Sequence, residues 1–539
     1  MERSCAAALR LGPNAENAIN CVKVVTPTAV SCVNWALAGR VRRFGGLTLA
    51  FISRTLYGRH FGKYPERRKP MFKSLNAVRI GGREVLPLIE GGKGISATNH
   101  MSSGAWALAG GIGTVSAVNA DSYDADGNII PQIYNGRTRR DRHEELIRYA
   151  IEGGVEQVRR AWEVASGKGA ININILWEMG GAQRVLEGVL ERTKGLVAGV
   201  TCGAGMPYRL SEIAASHGVH YYPIVSSARA FRALWKRAYH KAAEWLGAVV
   251  YEDPWRAGGH NGLSNAEDPL KPEDPYPRVK AIRDVMRQEG IPDDVPIVMA
   301  GGVWNLSEWE HWIDNKELGA VAFQFGTRPL VTQESPIPDE WKQRLLTLEE
   351  GDVLLHRFSP TGFYSSAVRN PFLRELEARS ERQIPFTTEE VGEHVFELDA
   401  GNLPRGQKAF VTQGDLFRAR EWAALGYTEA LKTPDSTLVF VTPESKAEIR
   451  KDQSDCMGCL SQCSFSSWAD NEKNTTGYLA DPRSFCIQKT LQSIGHGGDV
   501  EQNLMFAGHN AYRFKSDPFY SNGFIPTVKQ LIERIVSGK

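Results

Sequence analysis

Across the middle of the chain, short apolar runs alternate with longer stretches whose apolar positions recur every three or four residues. The short runs fall at 85–90, 111–118, 170–177, 197–203, 221–227, 247–253, 296–302 and 320–326. Their length and their bounding glycines read as buried strands. Between them the 3.6-residue period predicts a small helix before residue 111, then helices over 143–166, 182–194, 208–217, 228–245, 275–289 and 306–316. Eight strands with a helix between each pair, over about 250 residues, fit a (β/α)8 TIM barrel, whose chemistry sits at the C-terminal strand ends. The domain reading is a basic N-terminal extension over 1–70, the barrel over 71–385, and a mixed, mainly helical C-terminal region over 386–539, with helices expected near 371–380, 388–394, 415–431 and 526–536.

The last three strands share an ending. The run 247–253 leads into Trp255-Arg-Ala-Gly258-Gly259-His260, the next ends in Gly301-Gly302, and the last in Gln324-Phe-Gly326-Thr327-Arg328. Glycines after the final strands of a barrel let backbone N–H groups approach an anion, and a following helix N-terminus adds its dipole. A histidine on the same rim, with an unperturbed pKa near neutrality, is a candidate base beside a phosphate site. Gly92-Lys-Gly94 after the first strand loosely matches a dinucleotide fingerprint, with Asp121 downstream. A Rossmann fold would stop near six strands and place its phosphate there, whereas this chain continues to eight. The polar segment 119–142 exceeds an ordinary βα loop and is a candidate lid.

Composition changes this picture little. The 539 residues are 42% apolar and 23% charged, with a formal net charge of +2. Residues 1–70 carry twelve Lys/Arg against three Glu, about +9, which leaves the remainder near −7. No apolar run approaches the roughly 18 residues that span a bilayer, and no signal-peptide pattern opens the chain. The expectation is a cytoplasmic protein acting on a small molecule, without nucleic-acid or membrane partners. The basic arm lacks the aromatic interleaving of a nucleic-acid module. A homodimer is compatible with the sequence, which does not set the oligomeric state. A metal-dependent barrel hydrolase would show a His-x-His on its first strand, and none occurs.

Several segments together resemble the nitronate monooxygenase family, formerly the 2-nitropropane dioxygenases, which are FMN-dependent TIM-barrel enzymes. In order they are Pro87-Leu-Ile-Glu-Gly-Gly-Lys-Gly94, Ala109-Gly-Gly-Ile-Gly113, Ile171-Asn-Ile-Asn174, Ala257-Gly-Gly-His260, Met299-Ala-Gly-Gly-Val303 and Gln324-Phe-Gly-Thr-Arg328. The resemblance covers roughly 80–375 and, more loosely, the Ala507-Gly508 segment. It implies FMN held by Gly92, Gly94, Asn174, Gly259, Gly301, Gly302, Gln324, Gly326 and Thr327, with Asn172 the alternative to Asn174. It implies that His260 removes the proton α to a nitro group. The expected reaction is oxidation of alkyl nitronates or nitroalkanes with O2. The alternatives are NAD(P)H-dependent reduction of an enoyl thioester or quinone through an iron–sulfur relay and, in another class, a non-catalytic barrel scaffold. Glu90 and Lys93, the long 119–142 segment and the cysteine-bearing tail depart from the family pattern.

The eight cysteines divide unevenly. Cys202 reads as a small buried apolar residue. Cys456-x2-Cys459-x3-Cys463 with Cys486 is a set of four thiols that suits a [4Fe–4S] cluster, a structural zinc or unligated thiols. The first three resemble the cluster motif of iron–sulfur flavoenzymes related to old yellow enzyme. Disulfides are disfavoured in a reducing compartment. Ser226 and Ser227 end the fifth strand, either facing a ligand or capping the next helix.

Overall fold

The computed structural model describes residues 77–399 and 408–538. The basic arm expected over 1–70 lies outside the described residues. Eight parallel strands close a barrel: β1 (Leu88–Glu90), β2 (Ile112–Ser116), β3 (Ala170–Leu176), β4 (Gly199–Gly203), β5 (His220–Val225), β6 (Val249–Glu252), β7 (Ile297–Ala300) and β8 (Val321–Phe325). β8 pairs back onto β1 with Phe323 opposite Leu88, which completes the ring. All eight predicted strands are present, slightly shortened. The first run breaks at Pro87, and its upstream half forms a hairpin of Val78–Ile80 with Arg83–Val85 around Gly81-Gly82. Both glycines have φ above +50°, which a two-residue hairpin turn requires. Ile80 and Val85 then join Ile89, Ile112, Tyr222, Val250, Val298 and Ala322 in an apolar plug inside the barrel.

Alternation along the strands sorts side chains between plug and outer core. On β3, Ala170 belongs to the plug, whereas Ile171, Ile173 and Ile175 pack outward against the surrounding helices. Asn172 and Asn174 therefore point inward, Asn174 one layer nearer the C-terminal rim. Register sets what shares that layer: Asn174 is level with Ser116 and Thr201, and Ala300 with Glu252 and Gln324.

The helices depart from expectation where bulky groups interrupt them. The run predicted over 228–245 is helical over Ala228–Arg237, then a 3-10 segment, Tyr239–Trp245. The break falls at Ala238, beside Tyr239, which is buried with its hydroxyl donating to the Pro207 carbonyl at 2.9 Å. The predicted helix 306–316 is a kinked 3-10 segment, Leu306–Trp312, whose Trp309 packs edge-on against Trp312 and Phe323. Residues 388–394 form no helix. Gly392 at φ +59° turns the chain so that Val391 bridges His394. The C-terminal region is mixed: Pro371–Glu381, Gln413–Ala424 and Pro443–Ser454 accompany a sheet of Gln383–Pro385, Thr437–Val441 and Glu429–Lys432.

The segment 119–142 is no lid. Its backbone is fastened along the long helix Arg139–Ala165. The Gln157 amide donates to the Asp121 carbonyl (2.7 Å), Tyr123 N–H donates to Glu156 (3.1 Å), and Asn135 N–H donates to Glu145 (3.0 Å). Gly153 makes this docking possible, because a Cβ there would lie 2.1 Å from the Ala120 carbonyl oxygen.

That contact fixes the sign of a substitution. In an exposed helix Gly→Ala stabilises by about 1 kcal/mol. Here Gly153→Ala is expected to lower the melting temperature, as overpacking costs about 1–3 kcal/mol. A higher melting temperature would show that residue 120 does not lie against this helix.

Candidate active site

A cleft runs across the C-terminal rim of the barrel in two connected lobes that share Gly92, Lys93, Glu252, Gly258, Gln324, Gly326 and Thr327. The narrower lobe collects the glycines of the last strands, Gly301, Gly302 and Gly326, together with Arg256, Gly508 and Asn510. The wider lobe is floored by the inward layer of Asn174, Thr201, Ile224, Glu252 and Gln324. Gly94, Gly259 and His260 line it from the rim, and Asn172 does not reach it.

The glycines are required by close approach. A Cβ on Gly92 would sit 2.3 Å from Cβ of Asn174, and one on Gly94 2.8 Å from Oγ of Ser116. One on Gly301 would lie 3.0 Å from the Ala257 backbone. Gly326 differs: a Cβ there meets nothing within 4 Å, so its backbone borders open space in the narrower lobe. Open room beside main-chain N–H groups fits a phosphate, and the Arg256 side chain supplies a cation. Arg256 is held by Asp253 (2.9 Å) and by the Glu273 carbonyl (3.2 Å). The helix dipoles expected after β7 and β8 are absent, since only the 3-10 turns Leu306–Trp312 and Arg328–Leu330 follow. Arg328 itself is buried and structural, donating to the Trp304 carbonyl (2.5 Å) and stacking on the Trp304 ring (4.5 Å). Thr327 lines the lobe, and its hydroxyl accepts from Gly508 N–H at 2.9 Å. Glu90 and Lys93 pair with each other at 2.9 Å.

His260 ends a two-residue strand, Gly259–His260, in a small sheet with Ser365–Val368 and Val353–His356. Its Nε2 lies 2.6 Å from Ser359 Oγ, which in turn lies 2.9 Å from Thr361 Oγ1. Phe506 packs edge-on at 5.2 Å. Burial holds the imidazole down to about 4, so the ring is neutral at neutral pH. With Nε2 engaged by Ser359, Nδ1 is the nitrogen available to take a proton. Ser226 steadies the same loop by donating to the Gly262 carbonyl (2.8 Å), while Ser227 caps the next helix.

Sequence reasoning missed Glu252, Arg256 and Ser359. Glu252 was accessible to it: two residues past inward-facing Val250 on a strand, it must also face inward. Burial, with Asp253 beside it, raises its carboxyl to about 8. Missed too was the outer wall, made by Cys459, Leu460, Ile487, Leu491, Ile494, Met505 and Phe506 from the distant C-terminal region. Cys202 is wholly buried outside the barrel plug, as expected.

No helix among the described residues is long and apolar enough to cross a membrane. Among solved structures, the chain is similar to FabK from Thermotoga maritima, at 16% identity over 83% of this chain and 91% of that one (TM-score 0.44). It is also similar to nitroalkane oxidase from Streptomyces ansochromogenes, at 19% identity over 54% and 78% (TM-score 0.39). No curated protein sequence matches it. The nitronate monooxygenase family model matches residues 84–538, from the hairpin before the barrel through the C-terminal helix. The chain therefore belongs to the nitronate monooxygenase family of flavin-dependent oxidoreductases.

Proposed function

We propose that the cleft binds FMN, phosphate in the narrower lobe and ring in the wider one, and that the enzyme oxidises alkyl nitronates and their parent nitroalkanes. The observation that carries this reading is continuity: one cleft joins the glycine lobe to the wall that bears His260. Bound FMN would supply a two-electron acceptor that is reoxidised by O2. Gly301, Gly302, Gly326 and Thr327 would hold the phosphate with Arg256, and Gly92, Gly94, Asn174, Gly259 and Gln324 would border the ring.

His260 takes the α-proton of the nitroalkane on Nδ1, with Nε2–H donating to Ser359 Oγ and so fixing the tautomer. The imidazolium formed faces the negative charge of the new nitronate, an opposite-charge contact that offsets the cost of charging a buried ring. Glu252, protonated below about 8, presents a neutral hydroxyl donor toward whatever occupies the junction of the lobes. The apolar wall of Ile95, Leu491, Ile494, Met505 and Phe506 excludes water from the reacting carbon.

That wall favours a second reading. It is more extended than a short nitroalkane needs, and it suits the acyl or ring portion of an enoyl thioester or quinone reduced at the expense of NAD(P)H. The scaffold reading is set aside by membership of an enzyme family.

Two measurements separate these readings. His260→Asn keeps size and polarity but removes the proton acceptor. Turnover of a neutral nitroalkane is expected to fall by roughly 10²–10⁴, with a smaller loss on the preformed nitronate. Equal losses would give His260 a binding role, and no loss on either would favour the reductase. The second measurement is the pH profile of kcat/KM, which reports the free enzyme. His260 keeps its lone pair above about 4, so activity is expected to hold as pH falls through 6.5, the ordinary imidazole value. Glu252 loses its proton above about 8, giving an alkaline limb that Glu252→Gln removes. An acid limb at the ordinary imidazole value would place His260 in water.

A further inference from the structure

Four of the described cysteines meet at one place. Cys456, Cys459 and Cys463 are buried and Cys486 is half-buried, and all four are free thiols. Cys456, Cys463 and Cys486 lie within electrostatic range of Cys459, and Cys456 and Cys463 within that range of Cys486. Donors are aimed at the sulfurs. Backbone N–H of Gln488 serves Cys459, those of Phe465 and Ser466 serve Cys463, and that of Lys489 serves Cys486. The Ser466 hydroxyl donates to Cys456 Sγ at 3.1 Å. Donors directed at sulfur stabilise thiolates, and they surround sulfur ligands in metal sites. The Lys489 ammonium is turned away, toward Glu448 (2.9 Å) and Asp452 (3.1 Å).

The donors narrow the ligand. Zinc bound by thiolates at about 2.3 Å would draw the sulfurs to within about 4 Å of one another. Among the described residues no group of three or more His, Cys, Asp or Glu stands in place to hold a metal ion, so the thiols must close on any metal they bind. Four sulfur donors with N–H groups directed at them, in the wall of a redox-cofactor cleft, suit an iron–sulfur cluster, and the sulfide assay below separates it from zinc.

Position gives the site a role. Gly180 N–H donates to the Cys459 carbonyl (3.0 Å), Met179 bridges Leu460, and Ser461 N–H donates to the Glu178 carbonyl (2.6 Å). These bonds fasten the cysteine loop to the end of β3. Cys459 thereby stands in the wall of the same lobe as Asn174 and His260. The helix Ile487–Gly495, which starts directly after Cys486, contributes Ile487, Leu491 and Ile494 to that wall.

We infer that Cys456, Cys459, Cys463 and Cys486 hold a [4Fe–4S] cluster built into the wall of the flavin cleft, where it passes single electrons out of the reduced flavin. As a second outlet beside reoxidation by O2, the cluster accepts one electron at iron and hands it to an external one-electron acceptor protein, and the second follows by the same route. The flavin gives up two electrons in all and releases its N–H protons to water, and no other bond is made or broken. The relay rests on the flavin assignment above, whereas the metal site stands without it.

The test uses the full chain, purified without oxygen and, in parallel, reconstituted with ferrous iron and sulfide. About four iron and four acid-labile sulfide per chain are expected. Anaerobic dithionite titration should take up one electron beyond the flavin's own pair, with a paramagnetic signal from the reduced cluster. Cys463→Ser and Cys486→Ser should each lose the sulfide, and circular dichroism identifies any variant that fails to fold. The unmodified protein keeps the idea falsifiable in that event. Zinc without sulfide, iron without sulfide, or no metal after reconstitution would overturn the site. A full cluster with no extra electron uptake would overturn the relay. Failure of the cluster with the His260→Asn split intact would leave the nitronate reading standing, and a cluster without nitronate turnover would do the reverse.

Discussion

The cleft exists because glycine backbone at the barrel rim lies directly against its neighbours, with no side chain of its own between. Gly92 lies against Asn174, Gly94 against Ser116 and Val118, and Gly258 against Ala507 and Gly508, each too close for a Cβ. These contacts bring three loops and a segment from 250 residues downstream into one wall. The same absence of side chains leaves N–H groups bare beside Gly326, where an anion fits. Catalytic position follows from this packing: His260 is level with Ser365 in a sheet anchored by Ala367, which bridges Phe506. A larger residue at 258 would displace the segment that carries Phe506 and would loosen the ring beside His260.

Burial acts in opposite directions on His260 and Glu252 in the wider lobe. It lowers the imidazole of His260 to about 4 and raises the carboxyl of Glu252 to about 8. Between those values both are neutral, so neither adds a fixed charge at the junction, where Lys93 is already paired with Glu90. Charge then arrives with the ligands. A phosphate meets Arg256 in one lobe, and a nitronate meets the proton that His260 has taken in the other. The arrangement meets anions with neutral donors and the Arg256 cation, which suits a site that must release a product as well as bind a substrate.

Much of this was legible in the sequence, and the failures are physical. The eight strands were readable because each is a short apolar run that ends in glycine. Asn172 and Asn174 were placed on one face by strand alternation, and their order along β3 put Asn174 in the cleft. Helix ends were less legible. Tyr239 and Trp309 interrupt helical runs through tertiary packing that local periodicity does not record. The stretch 464–485 is mostly polar, and its composition hides that Phe465, Trp468 and Phe485 are buried. The outer wall was invisible for a simpler reason: residues 459–506 reach the rim only through long-range contacts such as that of Gly180 with Cys459. Because Cys459 lines the cleft, the thiol quartet and the flavin site are neighbours, although their residues lie far apart in the chain.

The most direct test of the cofactor assignment is the flavin released by acid from purified Gly326→Ala and Gly326→Asp. A side chain at 326 enters open space, so neither substitution strains the fold. The alanine variant is expected to carry one FMN per chain. The aspartate variant should melt at the same temperature but purify without flavin, because its carboxylate opposes the phosphate dianion at close range. An aspartate variant with full FMN, or an unmodified protein that releases FAD or no flavin, would contradict the placement of FMN in this cleft.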